Sequence, residues 1–232
     1  MVILPYRRKA FRSSDGTAPP APSTDPYFAN VLLLMHCDGT NGSTTFTDNS
    51  SYNRSITAYN GAALSTTSPK FGTASALFDG VDDYVDVATS ADWSMGTSTD
   101  FTVEFWMYAD STDFNSTGIG QAAGSYVINS GGSIYGGNGA ANLCSASYAG
   151  YYDQWVHVAF TRSGSTPRLF FNGTLVNVGS NYTWGASSTI RLMSSPVVGG
   201  YGKGKIDELR ITKGVARYTA SFTPPTAAFP NS

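Results

Sequence analysis

Residues 155–176 of the chain read WVHVAFTRSGSTPRLFFNGTLV. The two-residue period of a β-strand puts Trp155, His157 and Ala159 on one face and the intervening apolar residues on the other. The pair Asn172–Gly173 lies between two apolar runs, PRLFF and TLVNV, and Asn-Gly in this position is the strongest short-range signal for a β-hairpin. The stretch therefore predicts antiparallel β-structure that contains a tight two-residue turn.

From residue 30 onward the chain consists of short strand candidates separated by turn residues. NVLLLMHC (30–37) is apolar on both faces for most of its length and predicts a buried strand. The other candidates are TTFTD (44–48), SITAYNGAAL (55–64), ASALF (74–78), DYVDV (83–87), FTVEFWMYA (101–109), SYVIN (125–129), WVHVAFTR (155–162), PRLFFNG (167–173), TLVNV (174–178), TIRLM (189–193) and KIDELRI (205–211). Their spacing is typical of a two-sheet sandwich.

Signals for helix are weak throughout the sequence. No stretch of about 11 residues or more has a convincing 3.6-residue period. Only ADWSM (91–95) and ARYTA (216–220) predict single helical turns. The segment GGSIYGGNGAANLCSAS (131–147) is rich in small residues and is interpreted as a loop or weak strands. The predicted fold class is therefore all-β.

The composition suits one β-domain, with or without an arm. Charged residues make up only 13% of the chain, whereas it contains 25 Gly, 14 Tyr and 13 Phe. The formal charge of the chain is −2, but it is unevenly distributed. Residues 1–14 contain four basic residues and no acidic one. The rest of the chain contains the other ten basic residues and all 16 acidic residues, so its net charge is negative. The negative charge of the chain beyond residue 14 argues against nucleic-acid binding by that part. Cys37 and Cys144 are compatible with one disulfide or with two buried free thiols.

Residues 1–28 are predicted to be a separate extended arm, followed by one domain over residues 29–232. TAPPAPSTDP (17–26) has four prolines in ten residues, which favours extended backbone. Apolar and basic residues precede it and predict docking on a partner, although a solvated tail is the alternative. The residues expected to dock are Val2, Ile3, Leu4, Tyr6, Arg7, Arg8, Lys9, Phe11 and Arg12.

The N-terminal order of residues also bears on location. In MVILPYRRKAF (1–11) the apolar residues come before the basic ones, the reverse of a secretory signal. VLLLM (31–35) is far shorter than the roughly 20 residues that a membrane-spanning helix needs. We therefore expect a protein that is made and assembled in a cytoplasm and does not insert into a membrane.

Acidic residues are densest in FDGVDDYVDV (78–87), which contains Asp79, Asp82, Asp83 and Asp86. Asp-rich turns are common because Asp bonds its own backbone, and Asp79–Gly80 resembles a hairpin turn. The alternation beyond it puts Tyr84 and Asp86 on one face of the next strand. We interpret the stretch as turn chemistry, with a contribution to a cation site as the alternative.

Four motifs together point to a family. FDGVDDYVDV, FTVEFWMYA, WVHVAFTRSGSTPRLFFNGTLV and GKIDELRI occur in that order, and they resemble the laminin-G-like, concanavalin A-like jelly roll over about residues 30–215. The resemblance implies a two-sheet antiparallel sandwich. It also implies that the Trp155 strand and the Asn172–Gly173 hairpin share one sheet, and that the IDELRI strand lies beside the first strand.

Two flanking stretches suggest a narrower setting. VLLLMHCDGTNGSTTFTDNS (31–50) and ITKGVARYTASFTPPTAAFP (211–230) resemble the version of this domain in virion proteins of tailed phages. The resemblance implies a protein on the surface of a virion, as capsid decoration or as a tail or fibre component. The arm would then bind other capsid or tail proteins, the assembly would be homo-oligomeric, and the jelly roll would bind a cell-surface glycan.

The sequence does not favour an enzyme. It contains two glutamates, Glu104 and Glu208, in separate strands, without the clustered carboxylates of the glucanases that share this fold. No Gly-x-Ser-x-Gly or HExxH motif occurs, and His36 and His157 each lie within an apolar strand. We therefore predict a non-enzymatic protein. A stand-alone lectin module is the alternative, and a glycoside hydrolase is the third hypothesis.

Two kinds of binding site are expected. The resemblance implies one structural Ca²⁺ near Asp38 and Asp207, although Asp207 alternatively caps or pairs with a neighbour. Glu104, Trp106 and Tyr108 alternate onto one face of their strand and are expected to line a concave carbohydrate-binding surface. Core packing is the alternative for any single aromatic residue. Loop aromatics expected to add a platform are Tyr135, Tyr148, Tyr151, Tyr152, Tyr182, Trp184 and Tyr201.

Overall fold

The computed structural model describes residues 24–112, 115–121, 124–138, 141–185, 188–194 and 199–232. These residues contain two short 3-10 turns, Phe28–Asn30 and Ala91–Trp93. Their strands are β1 (Val31–Met35), β2 (Ile56–Tyr59), β3 (Ala63–Ser65), β4 (Ser75–Asp79), β5 (Tyr84–Ser90), β6 (Phe101–Ala109), β7 (Asn115–Gln121), β8 (Ser125–Ser130), β9 (Ser133–Asn138), β10 (Ala141–Ser147), β11 (Trp155–Ser163), β12 (Thr166–Phe171), β13 (Thr174–Val178), β14 (Ser188–Leu192) and β15 (Lys203–Lys213).

The strands form two antiparallel sheets. Sheet A has the order β13-β12-β11-β6-β15-β4-β3, with β1 paired to β15, and sheet B has the order β10-β9-β8-β7-β14-β5-β2. The predicted all-β sandwich is confirmed. The first strand is indeed the neighbour of the IDELRI strand, with Leu34 opposite Arg210.

The core lies between the two sheets. The alternating pattern of β6 puts Phe101, Val103, Phe105 and Met107 into it, and β11 contributes Val156, Val158 and Phe160 from the same sheet. Residues such as Val85 and Ile190 fill it from sheet B. Burial of these apolar side chains is the main stabilising contribution to such a sandwich, because each fully buried side chain contributes about 1.5–3 kcal/mol.

The predicted Asn172–Gly173 hairpin joins β12 to β13. Both residues have positive φ, 46° and 76°, as the mirror-image turn of a tight hairpin requires. A Cβ atom on Gly173 would lie 2.0 Å from the carbonyl oxygen of Phe222, so glycine is needed for close approach as well as for φ. The hairpin therefore also fixes the path of the C-terminal segment.

Other details differ from the sequence prediction. Asp79–Gly80 does not form a hairpin, because β4 belongs to sheet A and β5 to sheet B, so this turn crosses between the sheets. TTFTD (44–48) is not a strand, and SITAYNGAAL (55–64) supplies β2 to sheet B and β3 to sheet A. The segment 131–147, interpreted as a loop or weak strands, forms β9 and β10, because pairing of β9 with β8 and of β10 with β9 overrides the weak β-propensity of its small residues.

A β-bulge in β15 sets the faces of the acidic residues there. The register shifts between Asp207 and Arg210, and Glu208 has a φ of 50°. An extra residue at this point allows both Asp207 and Arg210 to face away from the core, although they are three positions apart. Ile206 and Leu209 face the core on either side of the bulge.

Both ends of the described chain pack on the outer face of sheet A. Asp25 is buried, and Phe28 packs against Val31, Leu34 and Phe229. The described part of the predicted arm is therefore packed on the sandwich. Val2, Ile3, Leu4, Tyr6, Arg7, Arg8, Lys9, Phe11 and Arg12 lie outside the described residues.

Two further features follow from the fold. Cys37 and Cys144 are both buried free thiols. Within the described ranges, no helix has the length and apolar character to cross a membrane. The single helical turn expected at ADWSM is present as Ala91–Trp93, whereas ARYTA (216–220) is not helical.

Candidate functional site

The residues predicted to bind carbohydrate lie on the outer face of sheet A, under a cover. Glu104 is fully buried and Trp106 is 4% exposed, whereas Tyr108 is partly buried. Residues 66–73, called here the 66–73 loop, cover Trp106, and the segment 215–222 covers Glu104. Glu104 and Trp106 therefore offer no surface to a ligand in this structure. Carbohydrate binding by the three residues stays a prediction and requires this cover to move.

Glu104 is instead the centre of a buried ion network. Arg210 donates to its Oε1 from Nε at 2.9 Å and from Nη2 at 2.8 Å. The hydroxyl of Tyr218 donates to its Oε2 at 2.8 Å, and Nε2 of His157 lies 3.3 Å from the same oxygen. Asp25 accepts from Arg210 at 3.1 Å and from Arg217 at 2.7 Å and 3.0 Å. Nε of Arg217 also lies 3.7 Å from Oε1 of Glu104, so both guanidinium groups contact two carboxylates.

This network keeps its carboxylates ionised. Burial by itself would raise the pKa of Glu104, but the charge of Arg210 and then the contact with His157 hold that pKa well below its usual range. Asp25 behaves similarly, since its bonds to Arg217 outweigh burial and lower its pKa. A carboxylate that is always ionised cannot donate a proton, and therefore Glu104 is unsuited to general acid catalysis.

Glu208, the other glutamate of the chain, is equally enclosed. It is 1% exposed, and its Oε1 lies 2.8 Å from Nδ1 of His36. Its Oε2 accepts the backbone N–H of Phe229 at 2.7 Å, and Nε2 of His36 contacts Oδ1 of Asn231 at 2.6 Å. The pair thus fastens the C-terminal residues onto sheet A, and it leaves no carboxylate oxygen for a substrate.

The 66–73 loop is held on sheet A by both side chains and backbone. Nζ of Lys205 donates to the carbonyl oxygen of Thr67 at 2.6 Å, and Nε1 of Trp155 donates to that of Ser68 at 3.1 Å. The ammonium group of Lys70 lies 3.8 Å from the ring centroid of Trp106, a cation–π contact. The loop thus occupies the surface that the sequence predicted to be open.

Asp38 and Asp207, predicted to bind Ca²⁺, both anchor this stretch of backbone. Oδ2 of Asp207 accepts the N–H groups of Lys70 and Phe71 at 2.8 Å and 3.2 Å. Oδ1 of Asp38 accepts from the backbone N–H and hydroxyl of Thr73 and from the N–H of Ala74. The structure therefore brings both carboxylates to residues 70–74, where they accept hydrogen bonds from backbone N–H groups.

The surroundings of Asp207 bear on the calcium prediction. Its Oδ1 is buried and has no hydrogen-bond partner among the described residues, and burial raises the pKa of its carboxyl to about 7. Calcium needs six to eight oxygen ligands, whereas N–H donors and the Lys70 ammonium group surround this carboxylate. These donors fit an anchoring role better than cation binding. Calcium binding by Asp38 and Asp207 stays a prediction.

A second candidate site, open to solvent, lies on the outer face of sheet B. It consists of Tyr59, Tyr84 and Tyr201 with Asp86 and Arg191, and it is called here the tyrosine surface. Tyr59 and Tyr201 are 39% and 36% exposed, so both rings are accessible to a ligand. None of these residues belongs to the core between the sheets.

Stacking and an ion pair fix the geometry of the tyrosine surface. The rings of Tyr59 and Tyr84 are stacked, with centroids 4.5 Å apart and planes 12° apart, and Tyr201 lies 6.3 Å from Tyr84. The guanidinium carbon of Arg191 lies 4.1 Å from the Tyr84 centroid. Arg191 also binds both oxygens of Asp86, at 2.7 Å and 2.8 Å, and this bond raises its pKa. The surface thus combines aromatic rings with a bidentate ion pair.

Strand register explains how these residues meet. Tyr59 pairs with Tyr84 and Thr57 with Asp86 between β2 and β5, and Arg191 of β14 pairs with Asp86 from the other side. Outward residues of adjacent strands lie about 4.5–5.5 Å apart, so the three strands deliver one continuous row. Tyr201 joins from the connection that precedes β15.

Sequence reasoning found only part of this surface. It expected Tyr201 to contribute to a platform and put Tyr84 and Asp86 on one strand face, and the structure confirms that shared face. It missed Tyr59 and Arg191 because their strands are far away in sequence and pair only in the folded chain. The available signal was the outward position of Tyr59 within ITAY.

Comparisons with known proteins agree with this fold. The family described as Concanavalin A-like lectin/glucanases superfamily matches residues 79–217. The binding domain of botulinum neurotoxin serotype D superposes with a TM-score of 0.60 at 16% identity, over 81% of this chain and 49% of that chain. Domain 4 of a GH43 extracellular arabinanase from Geobacillus stearothermophilus, in complex with arabinotriose, superposes with a TM-score of 0.57 at 17% identity, over 81% and 94%.

A third similar structure is the binding domain of botulinum neurotoxin DC in complex with SialylT. It has a TM-score of 0.57 at 18% identity, over 80% of this chain and 48% of that one. The chain thus spans about half the length of the neurotoxin binding domains. At such identities the likeness concerns the fold alone. No curated protein sequence matches the chain.

Proposed function

Since the chain belongs to the concanavalin A-like lectin/glucanase superfamily, we propose that it is a non-catalytic carbohydrate-binding jelly roll that binds sugar at the tyrosine surface. The observation that carries the proposal is the pair of exposed rings, Tyr59 and Tyr201, which both contact the partly buried Tyr84 beside the Asp86–Arg191 pair. Ring faces pack against the apolar face of a sugar, and the charged pair offers acceptors and donors to its hydroxyl groups.

The state of the glutamates supports the non-catalytic part of the proposal. Glycosidases of this general kind use one protonated and one ionised carboxyl group on either side of the sugar bond. Here Glu104 and Glu208 are both buried in ion pairs on sheet A. Similar structures include an arabinanase domain in complex with arabinotriose, which is consistent with sugar binding by this architecture.

Replacing Tyr59 and Tyr201 together by alanine is expected to weaken glycan binding at least tenfold. Each ring that covers a sugar contributes about 1.5–3 kcal/mol, and tenfold in affinity corresponds to about 1.4 kcal/mol. Binding to a glycan array, followed by titration calorimetry with the best ligand, measures the effect. Tyr52, which is 46% exposed elsewhere, provides the matched control Tyr52→Ala. Equal binding by the double variant and the wild type would refute the location of the site.

The narrower proposal is that this module is displayed on a phage virion. Its support is the sequence resemblance of residues 31–50 and 211–230 and the basic, apolar character of residues 1–14. The described chain begins at residue 24 on the outer face of sheet A, and the tyrosine surface is on the outer face of sheet B. If the particle contacts the sandwich at the face where residue 24 lies, the tyrosine surface points away from the particle.

Removal of residues 1–23 is expected to abolish incorporation into the particle and to leave the sandwich folded. The cut must spare Asp25, because its carboxylate binds Arg210 and Arg217 in the buried network. Particle content and thermal unfolding of the truncated protein are the two measurements. Normal incorporation of the truncated chain would exclude a docking role for residues 1–23. The hypothesis of a stand-alone lectin would then be preferred.

A further inference from the structure

The charge around the tyrosine surface has a consequence for the class of sugar. We infer that this site discriminates against acidic sugars and takes neutral ones. The inference rests on the proposed sugar binding at the tyrosine surface and adds the chemical class of the ligand.

The negative charge comes from the turn that precedes β5. Carboxylate oxygens of Asp79, Asp82 and Asp83 lie within 4.8 Å of one another. Asp79 and Asp82 are exposed, whereas Asp83 is buried and accepts the N–H groups of Gly61 at 2.6 Å and Asp79 at 3.0 Å. Burial, and after it the charges of Asp79 and Asp82, raises the pKa of Asp83, so this group already experiences the repulsion.

This acidic turn borders the tyrosine surface directly. Asp83 precedes Tyr84 in the chain, and Asn60, which follows Tyr59, donates from Nδ2 to the carbonyl oxygen of Asp82 at 2.6 Å. Each of the two stacked tyrosines is therefore next in the chain to a residue that belongs to the acidic turn or is hydrogen-bonded to it. Consecutive Cα atoms are about 3.8 Å apart, so Asp83 and Tyr84 are much closer than the Debye length of about 10 Å at 0.1 M salt, and charge is only partly screened at this separation.

Two cations lie near the turn, and both are shared with other carboxylates. Arg191 pairs with Asp86 at 2.7 Å, and Lys203 pairs with Asp110 at 3.1 Å. Lys203 also lies opposite Asp79 in the pairing of β15 with β4. Near the rings, the four carboxylates of Asp79, Asp82, Asp83 and Asp86 thus outnumber the two cations of Arg191 and Lys203. This excess of negative charge disfavours a ligand carboxylate without affecting a neutral hydroxyl-bearing ring.

The test uses the full chain and a glycan array of matched pairs that differ by one carboxylate. Suitable pairs are lactose with and without a terminal sialic acid, and oligosaccharides that end in glucose or glucuronic acid. For any pair whose neutral member binds, the acidic member is expected to bind at least tenfold more weakly at about 0.05 M salt. The difference is expected to narrow at about 1 M salt, where the Debye length falls to about 3 Å.

Asp82→Asn isolates the electrostatic cause. The Asp82 carboxylate is exposed, so the substitution is expected to leave folding and neutral-sugar binding unchanged while it strengthens binding of the acidic member about threefold. Asp100→Asn is the matched control, because Asp100 directly precedes β6 of sheet A, outside the acidic turn, and its substitution changes the net charge equally. Acidic members that bind as tightly as neutral ones overturn the inference and leave the proposed function standing.

Two other results also decide the question. A preference for neutral sugars that responds neither to salt nor to Asp82→Asn would overturn the electrostatic inference. An array on which the wild-type protein binds no sugar, neutral or acidic, would overturn the proposed function and the inference with it.

Discussion

Replacing Glu104 by alanine is expected to lower the free energy of unfolding by about 3–5 kcal/mol, because removing one partner of a buried ion pair leaves the other charge uncompensated. Arg210 is 5% exposed, and Glu104 supplies its two shortest charged contacts, at 2.8 Å and 2.9 Å. The hydroxyl of Tyr218 and the ring of His157 would also lose their contacts with the carboxylate. Urea unfolding of the variant and the wild type at pH 7 measures the difference.

Two further variants separate charge from packing. Glu104→Gln keeps the side-chain volume and one acceptor, and a loss above about 2 kcal/mol would show that charge is the main contribution. Asp82→Asn, at an exposed position, is expected to change stability by less than about 0.5 kcal/mol. A loss below about 1 kcal/mol for Glu104→Ala would contradict the role of the network.

The lowered pKa of Glu104 also predicts that the protein is destabilised by acid. Its folded-state pKa is depressed, so its contribution to stability is present above the unfolded-state pKa of about 4.5 and is lost as the pH falls further. Asp25 acts in the same direction. The wild-type protein is therefore expected to lose stability below about pH 4, and Glu104→Gln is expected to reduce that loss.

Asp207→Asn is expected to have an opposite effect, namely to stabilise the protein at neutral and alkaline pH. Burial raises the folded-state pKa of Asp207 from 3.8 to about 7, so the folded protein binds this proton more tightly than the unfolded chain. Stability from this group is complete below about pH 4 and declines until about pH 7. A shift of roughly three pKa units corresponds to about 4 kcal/mol.

The asparagine variant removes that decline because it carries no ionisable group. Its amide oxygen can still accept the N–H groups of Lys70 and Phe71, while its NH₂ group takes the position of the unpartnered Oδ1. The expected gain at pH 8 is therefore about 2–4 kcal/mol, with a much smaller difference at pH 4.

Urea unfolding between pH 4 and pH 8 tests this expectation, with the exposed Asp82→Asn as the control. Parallel stability curves for Asp207→Asn and the wild type would contradict a raised pKa. His36 has to be considered in the same range, because its pKa is raised and its ion pair with Glu208 weakens as the pH rises. A residual decline in Asp207→Asn above about pH 6.5 is therefore assigned to His36.

The sequence by itself determined the fold class and most of its strands. The alternation in residues 101–109 correctly divided β6 between core and outer face, and Asn172–Gly173 correctly located a hairpin. Both are local properties, since side-chain alternation follows from strand geometry and a mirror-image turn needs residues that tolerate positive φ. β9 and β10 were left open because their small residues are strands only through pairing with neighbours.

Only the tertiary structure decided which outer faces are open to a ligand. Glu104 and Trp106 occupy the face that the sequence predicted, but Tyr218, 114 residues away from Glu104, and the 66–73 loop cover that face. Tyr59, Tyr84 and Tyr201 are far apart in the sequence and meet on sheet B. Alternation along a strand shows which residues share a face, but it does not show what packs on that face. Which faces are covered, and which distant residues meet, depends on contacts between segments that are far apart in the sequence.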